Sequence, residues 1–536
     1  MGDNGTLIYS SDLHSVKDKT IDLSRYGTPC RYRFIDCKAF LKEKKLNIYE
    51  FSGSSNSHSS HGGSPAPYPP NVNYTAISYT WRGNETTHSD PSSPSYWKDT
   101  HGTFEVKGAE DGDPISLDVL KHVCTAVESS SRYIWLDRLC ILQSNKTDKS
   151  WQISRMYAVY ASCKMCCVLP GGIRRLVRLK EKTSWIHRGW TLQEVVVPKQ
   201  TIVLVRWDHR MEGKRIQSSG GGGGVFLPKG VIDGQSMYTN LHDLLEVSIR
   251  AGSFQIDDKK IPISVKLFGS NHTSAATLLD SMPKTQHTST YVREQSIWRS
   301  ALLRTSSRPV DMVFSIMGLF GVSLDPGSFD KDDRVGATIA LAREILKQGK
   351  PASWIGAGYM LERSRAISTF PRFPETSVSG QAYLRMSDGT KKSAIEMFDP
   401  KDAGDYLSHV PGGSMDKHGY VKLVAHATGI TKGDSRKAPI HGDNGSFWYF
   451  LPASTNLEIA TDEPARFIVY IGSMVQSSSP VYARADSLDS LRALLIKEHA
   501  PGKFHCFTFA KLANKHKKQI QSLPKMTLAI GGPNPP

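Results

Sequence analysis

Cysteine is scarce: eight residues in a chain of 536 are too few for a disulfide framework to hold a protein of this size. Cys163, Cys166 and Cys167 crowd together, but no second pair stands at the spacing a four-ligand zinc site needs, so reduced, mostly buried thiols are expected and no metal is. Cys140 has no assignable histidine partner and is not read as a nucleophile. No run of about 18 apolar residues occurs, which excludes a membrane-spanning helix. The start, Met1-Gly-Asp-Asn-Gly-Thr6, lacks the basic and then apolar pattern of a secretory signal, and the expected compartment is the cytoplasm. Also missing are a Gly-x-Ser-x-Gly elbow, a His-Glu-x-x-His helix and a Gly-Lys-Ser or Gly-Lys-Thr phosphate loop; the glycines Gly220 to Gly224 read as a flexible loop instead.

What is present is a soluble composition, 39% hydrophobic and 22% charged, over a length that calls for two or three domains. The net charge of +16 raises the question of nucleic acid. The basic residues are scattered, however, and the densest cluster, Lys511 to Lys518 with His516, is short and has no recognition motif around it, so nucleic acid is not the expected partner. A diffuse basic surface can equally draw nucleotide phosphates, acidic proteins or anionic lipid.

Residues 1–51 carry an alternating stretch, Arg31 to Phe40, and an apolar one, Leu46 to Phe51, read as strands that pack on the core. Residues 52–70 are Ser, Gly, His and Pro, a flexible linker in which His58 and His61 are read as solvated. From 71 to 210 strand and helix alternate. Tyr74 to Thr80 is a compact apolar run, Leu117, Leu120, Cys124 and Val127 recur at helical spacing, and Tyr133 to Asp137 is a second strand running on towards Gln143. Asp148 is a candidate cap for a helix carrying Ile153, Met156 and Tyr160, and Lys164 to Leu169 and Thr201 to Arg206 are further strands. Residues 211–352 read as mainly helical, and residues 353–536 as a β-rich region with strands near Tyr420 to Ala427, Phe447 to Leu451, Phe467 to Met474 and Phe504 to Phe509.

The alternation predicts a parallel sheet with helices on both faces, whose ligands bind outside the carboxyl ends of the strands. Arg82 and Asp137 stand at two such ends. After the third strand comes Trp185-Ile-His-Arg-Gly-Trp-Thr-Leu-Gln-Glu194, a short helix stopped by Pro198, on which Trp190 and Glu194 are four apart and share a face. A carboxylate beside aromatic surface is partly desolvated and can act as acid, base or charge stabiliser; the plain alternative is a solvated helical Glu near a core Trp.

Three ordered blocks, Tyr74-Thr-Ala-Ile-Ser-Tyr-Thr-Trp81, Ile134-Trp-Leu-Asp-Arg-Leu-Cys-Ile-Leu-Gln143 and Arg188-Gly-Trp-Thr-Leu-Gln-Glu194, resemble the signature blocks of the fungal heterokaryon incompatibility (HET) domain. Asp311 to Phe320 is similar to a block that often follows. The chain departs from the pattern at Arg82-Gly83, where Gly usually follows the Trp directly, at Arg138 and Leu142 in the second block, and in a long loop after Glu85. HET domains in turn resemble TIR domains, which implies a flavodoxin-like sheet, and Trp190-Thr-Leu-Gln-Glu194 is similar to the TIR motif whose Glu cleaves NAD in the active members.

The resemblance therefore implies a role in self/non-self recognition, innate immunity and programmed cell death, with Glu194 as catalytic residue and NAD or a related nucleotide as substrate rather than cofactor. Cleaving the nicotinamide–ribose bond expels a neutral leaving group and leaves an oxocarbenium-like sugar, so one preorganised carboxylate suffices. Trp81 or Trp190 would stack on a base, Arg82 would meet the pyrophosphate, and Asp137 would fix a loop at the substrate. Self-association or incompatibility partner proteins are the other implied partners. Two alternatives stand beside this reading: a non-enzymatic HET signalling module, and a nucleotide-binding regulator without turnover.

Overall fold

A computed structural model describes residues 5–53, 68–86, 97–209, 216–220, 228–250, 252–256, 259–269, 272–283, 290–358, 361–378, 380–386, 388–398, 405–432, 440–442, 447–450, 466–476, 490–513 and 517–534. His58 and His61 of the linker, most of the loop after Glu85, Gly221 to Gly224 and His516 lie outside the described residues. The chain divides into two compact units, Met1–Ala275 and Ala276–Pro536.

The first unit is built on a nine-stranded sheet. Its strands are β1 (Thr6–Asp12), β2 (Tyr32–Asp36), β3 (Lys45–Phe51), β4 (Tyr74–Tyr79), β5 (Tyr133–Trp135), β6 (Met165–Leu169), β7 (Thr201–Arg206), β8 (Lys229–Ile232) and β9 (Ser236–Asn240). Their order across the sheet is β1-β3-β2-β5-β4-β6-β7-β9-β8. The four central strands, β5, β4, β6 and β7, are parallel. Every residue of β4, β5 and β6 is buried, as expected of parallel strands covered on both faces.

The expected all-parallel sheet is thus parallel only at its centre, because β2 joins β5 and β9 joins β7 in antiparallel fashion. Residues 6–51 supply three strands of the sheet itself, where the short link between β2 and β3 can only join antiparallel neighbours. Counted in chain order, the four parallel strands lie 2-1-3-4 across the sheet.

The helices that serve the site are α1 (Leu117–Val127), α2 (Asp137–Cys140), α3 (Lys146–Ser162) and α4 (Thr191–Val196). Ser116 caps α1, its hydroxyl accepting the Val119 N–H at 3.3 Å. The second strand ends at Trp135, earlier than expected, and the chain turns at once through α2. At α3 the cap is Asn145, whose side chain accepts the Asp148 N–H at 2.9 Å, and not Asp148. Asp148 is instead fully buried and holds Arg33 of β2, itself 0% exposed, through two hydrogen bonds of 3.1 and 3.2 Å. The same carboxylate accepts the Leu142 and Cys30 N–H groups at 2.9 and 2.7 Å, and Arg33 also donates to the Cys140 carbonyl at 3.0 Å.

The second unit combines helices with a β-rich sheet. Its helices include Thr290–Leu302, Asp311–Met317 and Arg334–Lys347; the second runs into a tight turn, Gly318–Phe320, that ends at Gly321 in the left-handed region, φ 70°. Trp298, Phe320, Trp354 and Phe370 form an aromatic core in which Trp354 and Phe370 stack at 5.0 Å. The strands are β10 (Asp405–Ser408), β11 (Gly413–Met415), β12 (Val421–Lys432), β13 (Ile440–Gly442), β14 (Phe447–Phe450), β15 (Arg466–Gln476), β16 (Ser490–Ala500), β17 (Lys503–Ala513) and β18 (Lys525–Ile530). They pair in the order β10-β15-β16-β17-β14-β13-β12-β11. A further pairing of β12 with β15 closes six of them into a ring, and β18 bridges β12 and β17. Among the described residues no helix is long and apolar enough to cross a membrane.

Candidate functional site

Tyr79 and Trp81 are two apart at the end of β4, so both side chains fall on one side of the strand. They meet one carboxylate. Tyr79 donates its hydroxyl to Oδ1 of Asp137 at 2.6 Å, and Trp81 donates Nε1 to Oδ2 of the same residue at 2.6 Å. The Arg138 N–H also donates to Oδ1, at 2.6 Å. The ends of β4 and β5, neighbours in the sheet, are thereby tied through Asp137.

Arg138, 0% exposed, lies 5.7 Å from the Trp81 ring centroid, and Lys149 of α3 lies 5.8 Å from it. The Arg138 guanidinium is anchored on the carbonyls of Ala109, at 2.9 Å, and Asp113.

Glu194 stands on α4, which packs against both β4 and α3. It is 9% exposed, a carboxylate almost wholly withdrawn from water. Its charge acts on Tyr79 of β4, on Tyr160 of α3 and on Cys166 of β6. Burial chiefly, with Asp137 and then Glu194 adding to it, holds the Tyr79 hydroxyl well above the usual phenol range. Tyr160 is raised in the same way, by burial first and Glu194 next. Its hydroxyl donates to the Ile77 carbonyl at 3.0 Å. Tyr79 and Tyr160, both protonated, thus each feel Glu194 and Asp137 together.

The stretch before Glu194 is folded by local chemistry. Trp185–His187 is a single tight turn, and α4 begins only at Thr191, whose hydroxyl bonds the carbonyls of Trp185 and Arg188 at 2.9 and 2.8 Å. The helix expected from Trp185 to Pro198 is therefore broken at Gly189 and reduced to six residues. Trp190 sits just ahead of it, half-buried, its carbonyl accepting the Glu194 N–H at 3.4 Å. Trp185 is fully buried and donates Nε1 to the Ser78 hydroxyl at 2.9 Å, which docks the stretch onto β4.

The loops above the strand ends interlock. Arg82 is exposed and donates Nε to the Asp111 carbonyl at 2.7 Å. Asn84 donates its N–H to the Gly171 carbonyl at 2.9 Å, and Gly83 donates to Asp113 at 2.8 Å. Gly83 and Gly172 pass so closely that a Cβ on Gly83 would lie 2.0 Å from the Gly171 carbonyl oxygen. Position 83 therefore has room for glycine alone. Arg175, buried, pairs with Glu181 at 2.6 Å and donates to the Glu85 carbonyl at 2.6 Å.

Of the five residues singled out by sequence, Trp81 and Asp137 are in direct contact. Glu194 approaches them through Tyr79. Arg82 faces out towards the Asp111 loop, and Trp190 flanks α4. Tyr79, Tyr160 and Arg138 were not singled out. The two-residue spacing of Tyr79 and Trp81 was a readable signal for the first, and Arg138 stood out only as a departure from the second block; nothing in the local pattern marks Tyr160.

Among the described residues no group of three or more His, Cys, Asp or Glu side chains could hold a metal ion. All eight cysteines are free thiols, seven of them buried. Burial pushes Cys163 and Cys167 up to about 12, and burial likewise holds Cys140 at about 12, so none of these is an available thiolate near neutrality.

Residues 74–177 match the family model described as Heterokaryon incompatibility protein (HET). The matched segment begins at the first residue of β4 and spans α1, β5, α2, α3 and β6, which includes Tyr79, Trp81 and Asp137. No similar curated protein and no similar solved structure was found.

Proposed function

We propose that the chain acts in heterokaryon incompatibility and regulated cell death, and that its first unit does so by cleaving the nicotinamide–ribose bond of NAD with Glu194. The observation that carries this reading is the burial of Glu194 beside Tyr79, at the end of the strand whose other terminal contact is Asp137. The 2-1-3-4 order of the parallel strands supports a flavodoxin-like, TIR-like core. In that order the switch point falls between β4 and β6, beside α4.

Glu194 would bind the ribose hydroxyls and face the positive charge that develops on the sugar as neutral nicotinamide departs. A carboxylate in water-poor surroundings stabilises that charge far better than one in solvent. Tyr79 and Tyr160 lie within reach of the acid's charge. Asp137 holds Trp81, and the exposed Arg82 guanidinium is the group available to a pyrophosphate.

A second reading has its own support. Asp137 already accepts three hydrogen bonds, cations lie within 6 Å of the Trp81 ring, and the loops over the strand ends are interlocked. That closure favours a HET module that signals by assembly. Incubating full-length protein with NAD separates the two. Nicotinamide release that Glu194→Gln abolishes supports cleavage, binding without release identifies a nucleotide-gated regulator, and neither outcome leaves the assembly module.

A further inference from the structure

On the β-rich sheet of the second unit, basic side chains stand directly opposite one another across three adjacent strands. Arg466 of β15 is opposite Lys497 of β16, and Lys497 is opposite His505 of β17. Directly opposed residues of antiparallel strands project on the same face, and like charges so placed repel. Lys503, two residues before His505 on β17, falls on that face as well and is exposed, while Arg466, Lys497 and His505 are half-buried.

A fifth group is brought in by a bulge. The register of β16 and β17 shifts between Glu498 and Ala500, so His499 is the extra residue. A bulge re-aims the side chain it carries. The His499 ring meets His505, Nδ1 to Nδ1 at 3.2 Å, and its Nε2 meets the Tyr420 hydroxyl at 2.9 Å. Lys503 Nζ lies over the Tyr420 ring at 4.7 Å. The backbone of Gly532 closes the far side, where a Cβ would lie 2.9 Å from His499 Nε2.

Among the described residues, Glu498 acts on His499 and Asp416 on Tyr420, and both acids have local work. Glu498 accepts the Gly502 N–H at 2.7 Å, and Asp416 accepts the N–H groups of His418 and Tyr420 at 2.9 Å each. Glu498 is directly opposite Phe504, off the register positions of the basic row.

We propose that the face formed by Arg466, Lys497, His499, Lys503 and His505 is a binding site for a phosphate-class oxyanion. Three side chains that carry a charge and two that can acquire one converge from three strands. A tetrahedral dianion offers enough oxygens for such a set, whereas a planar carboxylate offers two. A metal cation is disfavoured by the same three charges, although the two Nδ1 atoms face each other. The imidazoles agree: burial first, then His499 and Lys497, push His505 down to about 4, and burial with Lys503 lowers His499. A bound anion reverses the electrostatic part of both effects.

The test titrates full-length protein, with its histidine rings isotopically labelled, against inorganic phosphate at constant ionic strength set by chloride. A parallel arm uses vesicles of phosphatidylcholine with and without phosphatidic acid. The site predicts saturable binding of phosphate or of the phosphatidate vesicles, upward shifts of the His499 and His505 titrations on binding, and a loss of about tenfold or more in affinity in Lys497→Gln and Arg466→Gln. Lys497→Arg should retain binding, which guards against a folding artefact. Binding in the first arm identifies a soluble phosphate as the source, and binding in the second alone a lipid headgroup. No binding in either arm beyond the chloride or phosphatidylcholine control, or binding unchanged in a folded Lys497→Gln/Arg466→Gln variant, overturns the proposal.

Discussion

Asp137 carries more of the strand-end geometry than any other single residue, because both of its oxygens are committed to donors from β4. An amide can accept on its oxygen only, so Asp137→Asn leaves either Tyr79 or Trp81 with a donor facing a donor. The expected cost is about 1–3 kcal/mol, read as a lower urea midpoint at unchanged slope. His122 offers a pH test. It is buried, bonded through Nδ1 to the Ser236 hydroxyl at 2.7 Å, and burial lowers its imidazole from 6.5 to about 4. The unfolded chain therefore binds the proton more readily between those values, so stability is full above about 6.5 and falls as pH drops towards 4, by at most about 3 kcal/mol. Denaturation at pH 7 and pH 4.5 measures the loss, and His122→Gln should remove part of it.

At the scale of the element, the four parallel strands were readable as short apolar runs because both of their faces are covered. The break at Gly321 was readable because glycine alone takes that turn without strain. Of the flanking antiparallel strands, β2 and β3 were legible as strands near Arg31 to Phe40 and Leu46 to Phe51, though not as members of the sheet itself, while β1, β8 and β9 were not legible. Thr6–Asp12 is a half-exposed edge strand with no apolar run, and Arg33, a charged residue inside β2, gave no sign that it is fully buried. Its partner Asp148 stands 115 residues away, a separation that local pattern cannot bridge. A separation of 58 residues likewise hid how Asp137 and Tyr79 meet, and the distance to Arg33 made Asp148 look like a cap. Removing one side of that buried pair leaves an uncompensated charge. Arg33→Ala should cost about 3–5 kcal/mol in a thermal or denaturant melt, while Arg132→Ala, whose Asp36 pair lies at an exposed arginine, should cost under about 1 kcal/mol. Gly83→Ala forces backbone apart at the β4 and β6 ends and should lower Tm without changing the far-ultraviolet spectrum.

For the whole molecule, two units with separate cores, one around the mixed sheet and one around the Trp354 aromatic cluster and the β ring, share one chain. Calorimetry should resolve two transitions, with Arg33→Ala lowering one and Trp354→Ala lowering the other; a single transition moved by both would contradict that division. The family match lies within the first unit, and so does the acid on which the proposed chemistry depends. The most direct measurement is a proton NMR time course of free nicotinamide from NAD mixed with the full-length protein, with its Glu194→Gln variant and with Asp137→Asn. Release by the wild type, none by Glu194→Gln and partial loss in Asp137→Asn is the predicted pattern. Release that proceeds undiminished in a folded Glu194→Gln protein contradicts it.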